Sequence, residues 1–119
     1  MEALPGLKVN GELTLGENIG DLTGVTISHR AYELSLGGRP AAEIDGTTGD
    51  QRFFYGWVQA WRAKYRDDAL RQQVISNEHA PDMMRGNGPL PNVDAFYKTF
   101  GVKSGDKLFL PPDQRVKIW

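Results

Sequence analysis

Two acidic residues, Glu17 and Asp21, stand one helical turn apart, so both carboxylates project from the same face of a helix. Glycine recurs every fourth residue in this stretch, at Gly16, Gly20 and Gly24. Each interior glycine costs a helix about 1 kcal/mol relative to alanine. The repeat therefore indicates a bare stripe that lets another backbone come close, and we expect this helix to lie against a partner with its carboxylates along the seam.

The same acids also have an ordinary structural use. Thr14 can cap a helix that begins at Leu15, and Thr14-x-x-Glu17 matches a capping box in which Glu17 accepts from the cap N–H. Acids in the first turns also suit the positive end of the helix dipole. On these residues alone, the cap is favoured over a metal site.

A second polar stretch runs from His79 through Pro81 and Arg85 to Gly88. Proline restricts the residue before it, so the backbone around His79 is constrained. An imidazole and a guanidinium on one constrained loop can stabilise a developing oxyanion. The alternative, favoured on these residues alone, is a surface histidine and an arginine that ties the loop to an acid elsewhere.

Composition predicts one small globular domain over residues 1–119, with 39% hydrophobic and 24% charged residues. The net charge of −1 gives no basic excess for nucleic acid or an anionic membrane surface. The absence of cysteine excludes disulfides, thiolate catalysis and cysteine-ligated zinc. No apolar run approaches the length of a membrane span.

Hydrophobic spacing predicts a mainly α fold of three or four helices with ordered loops. After an extended or loop-like Met1–Leu13, a first helix over Leu15–Leu36 would turn one stripe inward, made of Ile19, Leu22, Thr26 and Ala31. His29 on this helix is interpreted as a surface or packing residue. A second helix, Gly49–Tyr65, opens with the capping box Thr48-x-x-Gln51. Its aromatic stripe favours core packing over a ligand-binding surface, and it comprises Phe53, Trp57, Trp61 and Tyr65.

The second half of the sequence is predicted to form shorter helices and one short extended segment. Asp67 and Asp68 are expected to cap a helix that ends near Ser76, and Asn77–Asn92 reads as an ordered loop. Asn92 would then cap a short helix over Val93–Phe100, which Gly101 closes. Lys107–Leu110 is expected to be a short strand or an extended segment.

Together these stretches resemble the C-terminal end of the neprilysin family of zinc metallopeptidases, which includes neprilysin, the endothelin-converting enzymes and bacterial oligopeptidase O. The resemblance covers nearly the whole chain in several ordered blocks. They are Asn10-Gly11, Leu15–Asp21, Ala31-Tyr32, Gln51–Phe54, Trp57–Arg62, Tyr65-Arg66, His79–Arg85 and Arg115–Trp119.

The resemblance implies a role for each polar residue. Glu17 matches the glutamate that is the third protein ligand to zinc, and Asp21 matches the acid that orients a zinc-binding histidine. His79 matches the histidine that hydrogen-bonds the tetrahedral intermediate, and Arg85 the arginine that holds a substrate carbonyl. The family's Glu-Asn-Ile-Ala-Asp has Gly20 in place of alanine here, which leaves both acids in position.

The implied activity is zinc-dependent hydrolysis of oligopeptides. The chain contains no H-E-x-x-H, the helix that supplies the family's two histidine ligands and general base. We therefore expect the C-terminal portion of a thermolysin-like zincin catalytic domain, inactive and weakly zinc-binding when isolated, whose partner is the N-terminal remainder of the peptidase. Its uncovered first helix would expose an apolar patch, which self-association could cover.

Two other hypotheses remain open. The chain could be a non-catalytic helical module that binds a protein through its aromatic stripe or glycine face. The least favoured is an independent metal site built from Glu17, Asp21 and His79, because no single spacing brings the three together. The resemblance and the lack of cysteine point to a bacterial enzyme in the periplasm or outside the cell, with the cytosol as the alternative.

Overall fold

The computed structural model describes residues 2–118 and is mainly helical, as predicted. A small antiparallel hairpin of β1 (Glu2–Leu4) and β2 (Leu7–Lys8) comes first, with Gly6 at φ +75° in its turn. Five α-helices follow, rather than three or four: α1 Gly11–Ser35, α2 Gly49–Ala60, α3 Asp67–Ser76, α4 Asp82–Asn87 and α5 Asp94–Phe100. No helix within residues 2–118 is long and apolar enough to span a membrane.

The long helix α1 begins four residues earlier than the sequence indicated. Asn10 caps it, because its side-chain oxygen accepts from Glu12 N at 3.0 Å and from Leu13 N at 3.3 Å. Thr14 lies inside the helix, where its hydroxyl donates to the carbonyl of Asn10 at 3.1 Å. The predicted Thr14 cap, and with it the Thr14–Glu17 capping box, is therefore wrong. This frees Glu17 from a capping role.

The predicted inner stripe of α1 is also wrong apart from Leu22. The face that packs inward carries Thr14, Asp21, Leu22, Val25 and His29. Ile19 is 45% exposed, and Thr26 and Ala31 are exposed as well. A helical period alone could not distinguish these faces, because α1 has apolar residues around most of its circumference. One of its faces has no neighbour among the described residues, so part of that apolar surface stays open.

Helix α2 begins as the sequence predicted and ends five residues sooner. The Thr48 hydroxyl accepts from Gln51 N, and the Gln51 side chain accepts from Thr48 N, which confirms the capping box. The helix stops at Ala60, and Trp61 N donates instead to the carbonyl of Val58 in a tighter turn. Core packing of the aromatic stripe is confirmed for Phe53 and Trp57, which pack against the buried core.

The second half contains more helix than predicted. Helix α3 has the expected extent, but Asp67 and Asp68 lie in its first turn instead of capping it. Within the predicted loop Asn77–Asn92, α4 and a 3₁₀ turn at Leu90–Asn92 form around the prolines, which set φ for such turns. Helix α5 starts at Asp94, and Gly101 closes it at φ +64°. Asn92 does not cap α5, because its Oδ1 accepts from Val116 N at 2.8 Å.

The core lies where α1, α2 and α5 meet the 3₁₀ turn, and its members are Leu22, Val25, Phe54, Leu90, Val93 and Phe96. His29 is also buried, at 5% exposure, between the rings of Phe53 and Phe54, with Nε2 3.2 Å from Asp50 Oδ1. It is a packing residue. Helix α4 packs on α2, and α3 packs on the hairpin.

The C-terminal segment has no paired strand at the predicted Lys107–Leu110, where Lys107 and Leu108 form a turn in the described part of the chain. It is held by side chains instead. Arg115 Nη1 donates to Asp94 Oδ1 at 2.7 Å, and its guanidinium carbon lies 3.6 Å from the centre of the Tyr97 ring. The hydrogen bond from Arg115 is the main cause that lowers the pKa of Asp94, and the positive charge of Lys117 adds to it.

Asp94→Asn tests this attachment through its pH dependence. Because the folded-state pKa of Asp94 is lowered, its stabilisation is fully present above the ordinary pKa of about 3.9 and is lost as the pH falls through the lowered value. We expect Asp94→Asn to lower Tm at about pH 7 and to lower it less at about pH 3. Asp113→Asn, an exposed acid in the same segment, is the matched control. A Tm difference of equal size at both pH values would contradict the expectation.

Candidate functional site

Asp21 and Arg85 form a buried, two-pronged ion pair between α1 and α4. Arg85 Nε and Nη2 each donate to one carboxylate oxygen of Asp21 at 2.8 Å. The two side chains are 8% and 16% exposed, respectively. The hydrogen bond that Arg85 donates to Asp21 is the main cause that raises the pKa of Arg85, so the guanidinium is permanently charged. A fork-to-fork pair of this kind fixes both groups in orientation as well as position.

One turn earlier on α1, Glu17 meets His79. His79 Nε2 lies 3.0 Å from Glu17 Oε2, and the side chains are 36% and 43% exposed. The prediction that Glu17 and Asp21 project from one face of α1 is therefore confirmed, because both carboxylates contact the segment His79–Arg85. The segment His79–Arg85 supplies one partner to each of them. The structure thus brings all four predicted residues into two neighbouring pairs.

His79 is held from its other side by Asn77, which the sequence analysis did not identify. Asn77 Oδ1 lies 2.8 Å from His79 N and 3.0 Å from His79 Nδ1. The contact at Nδ1 fixes the orientation of the ring, so Nε2 is the ring atom presented to Glu17. The Asn-x-His spacing was the available signal, since asparagine commonly accepts from a backbone N–H two residues on.

Trp61 is the second residue that the sequence analysis did not place at the site. Its ring lies against Arg85, whose guanidinium carbon is 4.0 Å from the ring centre. The helical spacing of Trp61 with Phe53 and Trp57 predicted a core residue and gave no indication of an arginine partner. Beside it, the Tyr65 hydroxyl donates to Asp82 Oδ2 at 2.9 Å, which raises the pKa of Tyr65.

The face of α1 around Glu17 is open. A side chain added at Gly16, Gly20 or Gly24 would meet no atom within 4 Å. Leu15, Ile19 and Ile27 on the same helix are 45–56% exposed. The glycine stripe is therefore bare, as predicted, and nothing in residues 2–118 lies against it.

The donor set near Glu17 supports one metal ligand and not a complete site. Structural and catalytic zinc sites use at least three protein ligands. No group of three histidine, cysteine, aspartate or glutamate side chains within residues 2–118 is arranged to hold a metal ion. Glu17 and His79 meet, but Asp21 turns to Arg85, so the independent three-residue site is not formed. Glu17 has an accessible carboxylate beside an open face, which fits a ligand to an ion whose other donors come from elsewhere.

Comparison with protein families gives one match that spans the whole site. The model of Peptidase family M13 matches residues 1–116. Among curated proteins, a neutral endopeptidase of Lactococcus lactis is 34% identical over 110 residues. The match covers 92% of this chain and 16% of the Lactococcus protein. Neprilysin-2 of Drosophila melanogaster is 35% identical over 121 residues, which is 99% of this chain and 15% of that protein.

Solved structures give the same result at higher identity. The zinc metalloprotease Zmp1 of Mycobacterium tuberculosis, in its open state, superposes with a TM-score of 0.91 and 51% identity. The superposition covers 93% of this chain and 17% of the Zmp1 chain. Zmp1 in complex with an inhibitor gives the same values. This chain therefore spans about a sixth of the length of the proteins that it matches.

Proposed function

Because the chain belongs to peptidase family M13, the neprilysin family, we propose that it forms the C-terminal part of a zinc-dependent endopeptidase that hydrolyses oligopeptides. The observation that carries the proposal is the pair of contacts along α1. Glu17 and Asp21 leave one face, and the segment His79–Arg85 gives each a cationic or hydrogen-bonding partner. Two acids, an imidazole and an oriented guanidinium beside an open helix face suit chemistry on a peptide carbonyl.

Glu17 is the residue of this chain that would hold zinc. Its carboxylate is 43% exposed and takes no part in capping α1, so it can turn from His79 to an ion at the open face. When bound, zinc polarises a carbonyl and lowers the pKa of a water. The remaining ligands, and the base that takes the proton of that water, belong to the N-terminal remainder of the peptidase, since residues 2–118 contain no three-ligand cluster.

The other three residues act on the substrate and on the histidine ligands. His79, with Nδ1 tied to Asn77, presents Nε2 as the atom that hydrogen-bonds the oxyanion of the tetrahedral intermediate. Arg85 uses two N–H groups on Asp21 and keeps others for a substrate backbone carbonyl. Asp21 has further lone pairs on its two oxygens, so it can also orient a zinc-binding histidine from the remainder.

The open face of α1 supports the proposal that this remainder is the chain's main partner. Exposed apolar residues and a bare glycine stripe allow close helix or strand packing beside Glu17. Self-association of the isolated chain through this face stays a prediction, as does action in the periplasm or outside a bacterial cell. A purely protein-binding module is less well supported, because Phe53 and Trp57 of its proposed aromatic surface pack against the core.

Glu17→Gln in the zinc peptidase that carries these residues tests the proposal. The substitution keeps size and hydrogen bonding but removes the anionic ligand, so we expect the purified variant to lose stoichiometric zinc and the cleavage of a quenched fluorescent oligopeptide. Glu12→Gln, an exposed acid on the same helix, is the matched control and should keep both. Zinc content is read by elemental analysis, and activity before and after chelation.

Retention of zinc and of peptidase activity by Glu17→Gln would overturn the assignment of Glu17. The 119-residue chain alone supplies one zinc ligand, and we expect it to hydrolyse no oligopeptide. Hydrolysis by the purified chain that Glu17→Ala abolishes would contradict that expectation.

A further inference from the structure

Trp61 packs the face of its indole ring against Arg85, outside the helix that carries Phe53 and Trp57 of the aromatic stripe. The chain leaves α2 at this residue, and the guanidinium carbon of Arg85 stands 4.0 Å from the ring centre. A cation over an indole face is attracted by the negative face of the ring. The indole Nε1 is buried, and no acceptor in residues 2–118 lies within hydrogen-bond distance of it.

Gly86 provides the space for this contact. A Cβ added at Gly86 would stand 3.3 Å from Trp61 Cβ, which is closer than side chains normally pack. It would also lie 3.6 Å from Trp61 Cδ1, an ordinary contact distance. The carbonyl of the same residue accepts from Trp57 Nε1 at 3.1 Å. The two tryptophans meet edge to face at 5.8 Å between ring centres. The end of α2 thus holds α4 by a hydrogen bond and by close packing, directly beside Arg85.

The guanidinium of Arg85 is consequently fixed in two ways. Asp21 takes Nε and one hydrogen of Nη2, which sets the plane of the group. Trp61 covers one face of that plane. Arginine has five N–H donors, so the edge formed by Nη1 and the second hydrogen of Nη2 has no assigned acceptor in residues 2–118. A long side chain that would otherwise sample many rotamers presents one defined edge.

We propose that Trp61 is a positioning residue for Arg85, whose free guanidinium edge it aligns with the backbone carbonyl of a bound peptide. The inference rests on the proposed function insofar as Arg85 binds substrate. The contact between Trp61 and Arg85 does not depend on that function, so the two can be tested apart.

The first test follows the side-chain N–H signals of Arg85 by NMR in the chain itself. In the parent chain, the ring current of Trp61 should displace the Arg85 signals, and the ion pair should slow their exchange with water. We expect Trp61→Leu to remove the displacement and to speed exchange roughly fivefold, as expected from the typical strength of a partly desolvated cation–π contact. Trp61→Phe keeps a ring and should retain part of both effects.

Tyr55→Leu is the matched control, because Tyr55 lies on α2 and packs on Phe100 instead of Arg85. It should leave the Arg85 signals unchanged. Arg85 signals that do not move in Trp61→Leu, or that move equally in Tyr55→Leu, would overturn the proposal.

The second test uses the zinc peptidase that carries these residues. Loss of alignment weakens the hold on the substrate backbone, so Trp61→Leu should raise KM for an oligopeptide roughly fivefold and change kcat much less. A fall in kcat with unchanged KM would contradict the positioning role. If the parent protein hydrolyses no peptide while the Arg85 signals respond as expected, the proposed function fails and the contact between Trp61 and Arg85 stands.

Discussion

Asp21→Ala should destabilise the folded chain by about 3 kcal/mol, because it leaves the Arg85 guanidinium charged and unpaired in a site that excludes most water. Arg85 cannot relieve this by losing its proton, since the ordinary pKa of arginine is already far above neutral. The pair also connects α1 to α4, since Asp21 and Arg85 are 64 positions apart in the chain. The loss therefore combines a buried charge with the release of a long-range contact. Urea unfolding followed by circular dichroism gives the change in free energy of unfolding.

Glu33→Ala is the matched control for this experiment. It removes the Arg30–Glu33 pair on α1, whose side chains are 67% and 47% exposed, and exposed pairs contribute about 0 to 1 kcal/mol. The double variant Asp21→Ala with Arg85→Met should recover a large part of the loss, because it removes the unpaired charge together with its partner. If Asp21→Ala and Glu33→Ala lowered stability equally, the Asp21–Arg85 pair could not be the buried contact described above.

Phe54→Ala should lower stability by about 3 to 5 kcal/mol, the usual effect of truncating a fully buried phenylalanine. Phe54 is 1% exposed and stands at the centre of the aromatic core. Its ring stacks on His29 at 5.3 Å between centres and meets Phe96 edge to face at 5.7 Å. Its removal would open a cavity between α1, α2 and α5. The expected loss is a large fraction of the free energy of unfolding of a whole domain, which is about 5 to 15 kcal/mol.

Tyr55→Ala, at the next position of α2, provides the comparison. Tyr55 is 48% exposed, so its truncation should change the free energy of unfolding by about 1 kcal/mol or less. Urea unfolding of both variants at equal protein concentration measures the difference. A loss below about 1.5 kcal/mol for Phe54→Ala would mean that the core collapses around the gap or is packed differently.

The parts of the fold that the sequence predicted are those that short-range rules determine. The Thr48–Gln51 capping box, the extent of α3 and the closure of α5 at Gly101 depend on neighbours three or four residues away. The inward face of α1 does not. Asp21 is buried because Arg85 reaches it, whereas apolar Ile19 is exposed because no described element covers it. No period in the sequence encodes a contact between residues so far apart.

The candidate site divides in the same way. The shared face of Glu17 and Asp21 follows from helical spacing, and the resemblance to neprilysin-family peptidases identified His79 and Arg85. Which acid meets His79 and which meets Arg85 was not predictable from the sequence, because the irregular segment before α4 decides how far each side chain reaches. Trp61 was predicted to be a core residue because it continues the helical spacing of Phe53 and Trp57, but α2 ends one residue before it, at Ala60. Asn77 was missed although its signal was local.

The bare stripe of α1 places two selective pressures in conflict. Alanine at Gly16 or Gly24 would favour the helix by about 1 kcal/mol per site and would meet no atom in residues 2–118. A search for thermostable variants of this chain alone would therefore choose alanine at both positions. The same methyl groups would stand in the space that a closely packed neighbour would need beside Glu17. Under the proposed function, stability engineering on the isolated chain would thus select against packing with the remainder of the peptidase.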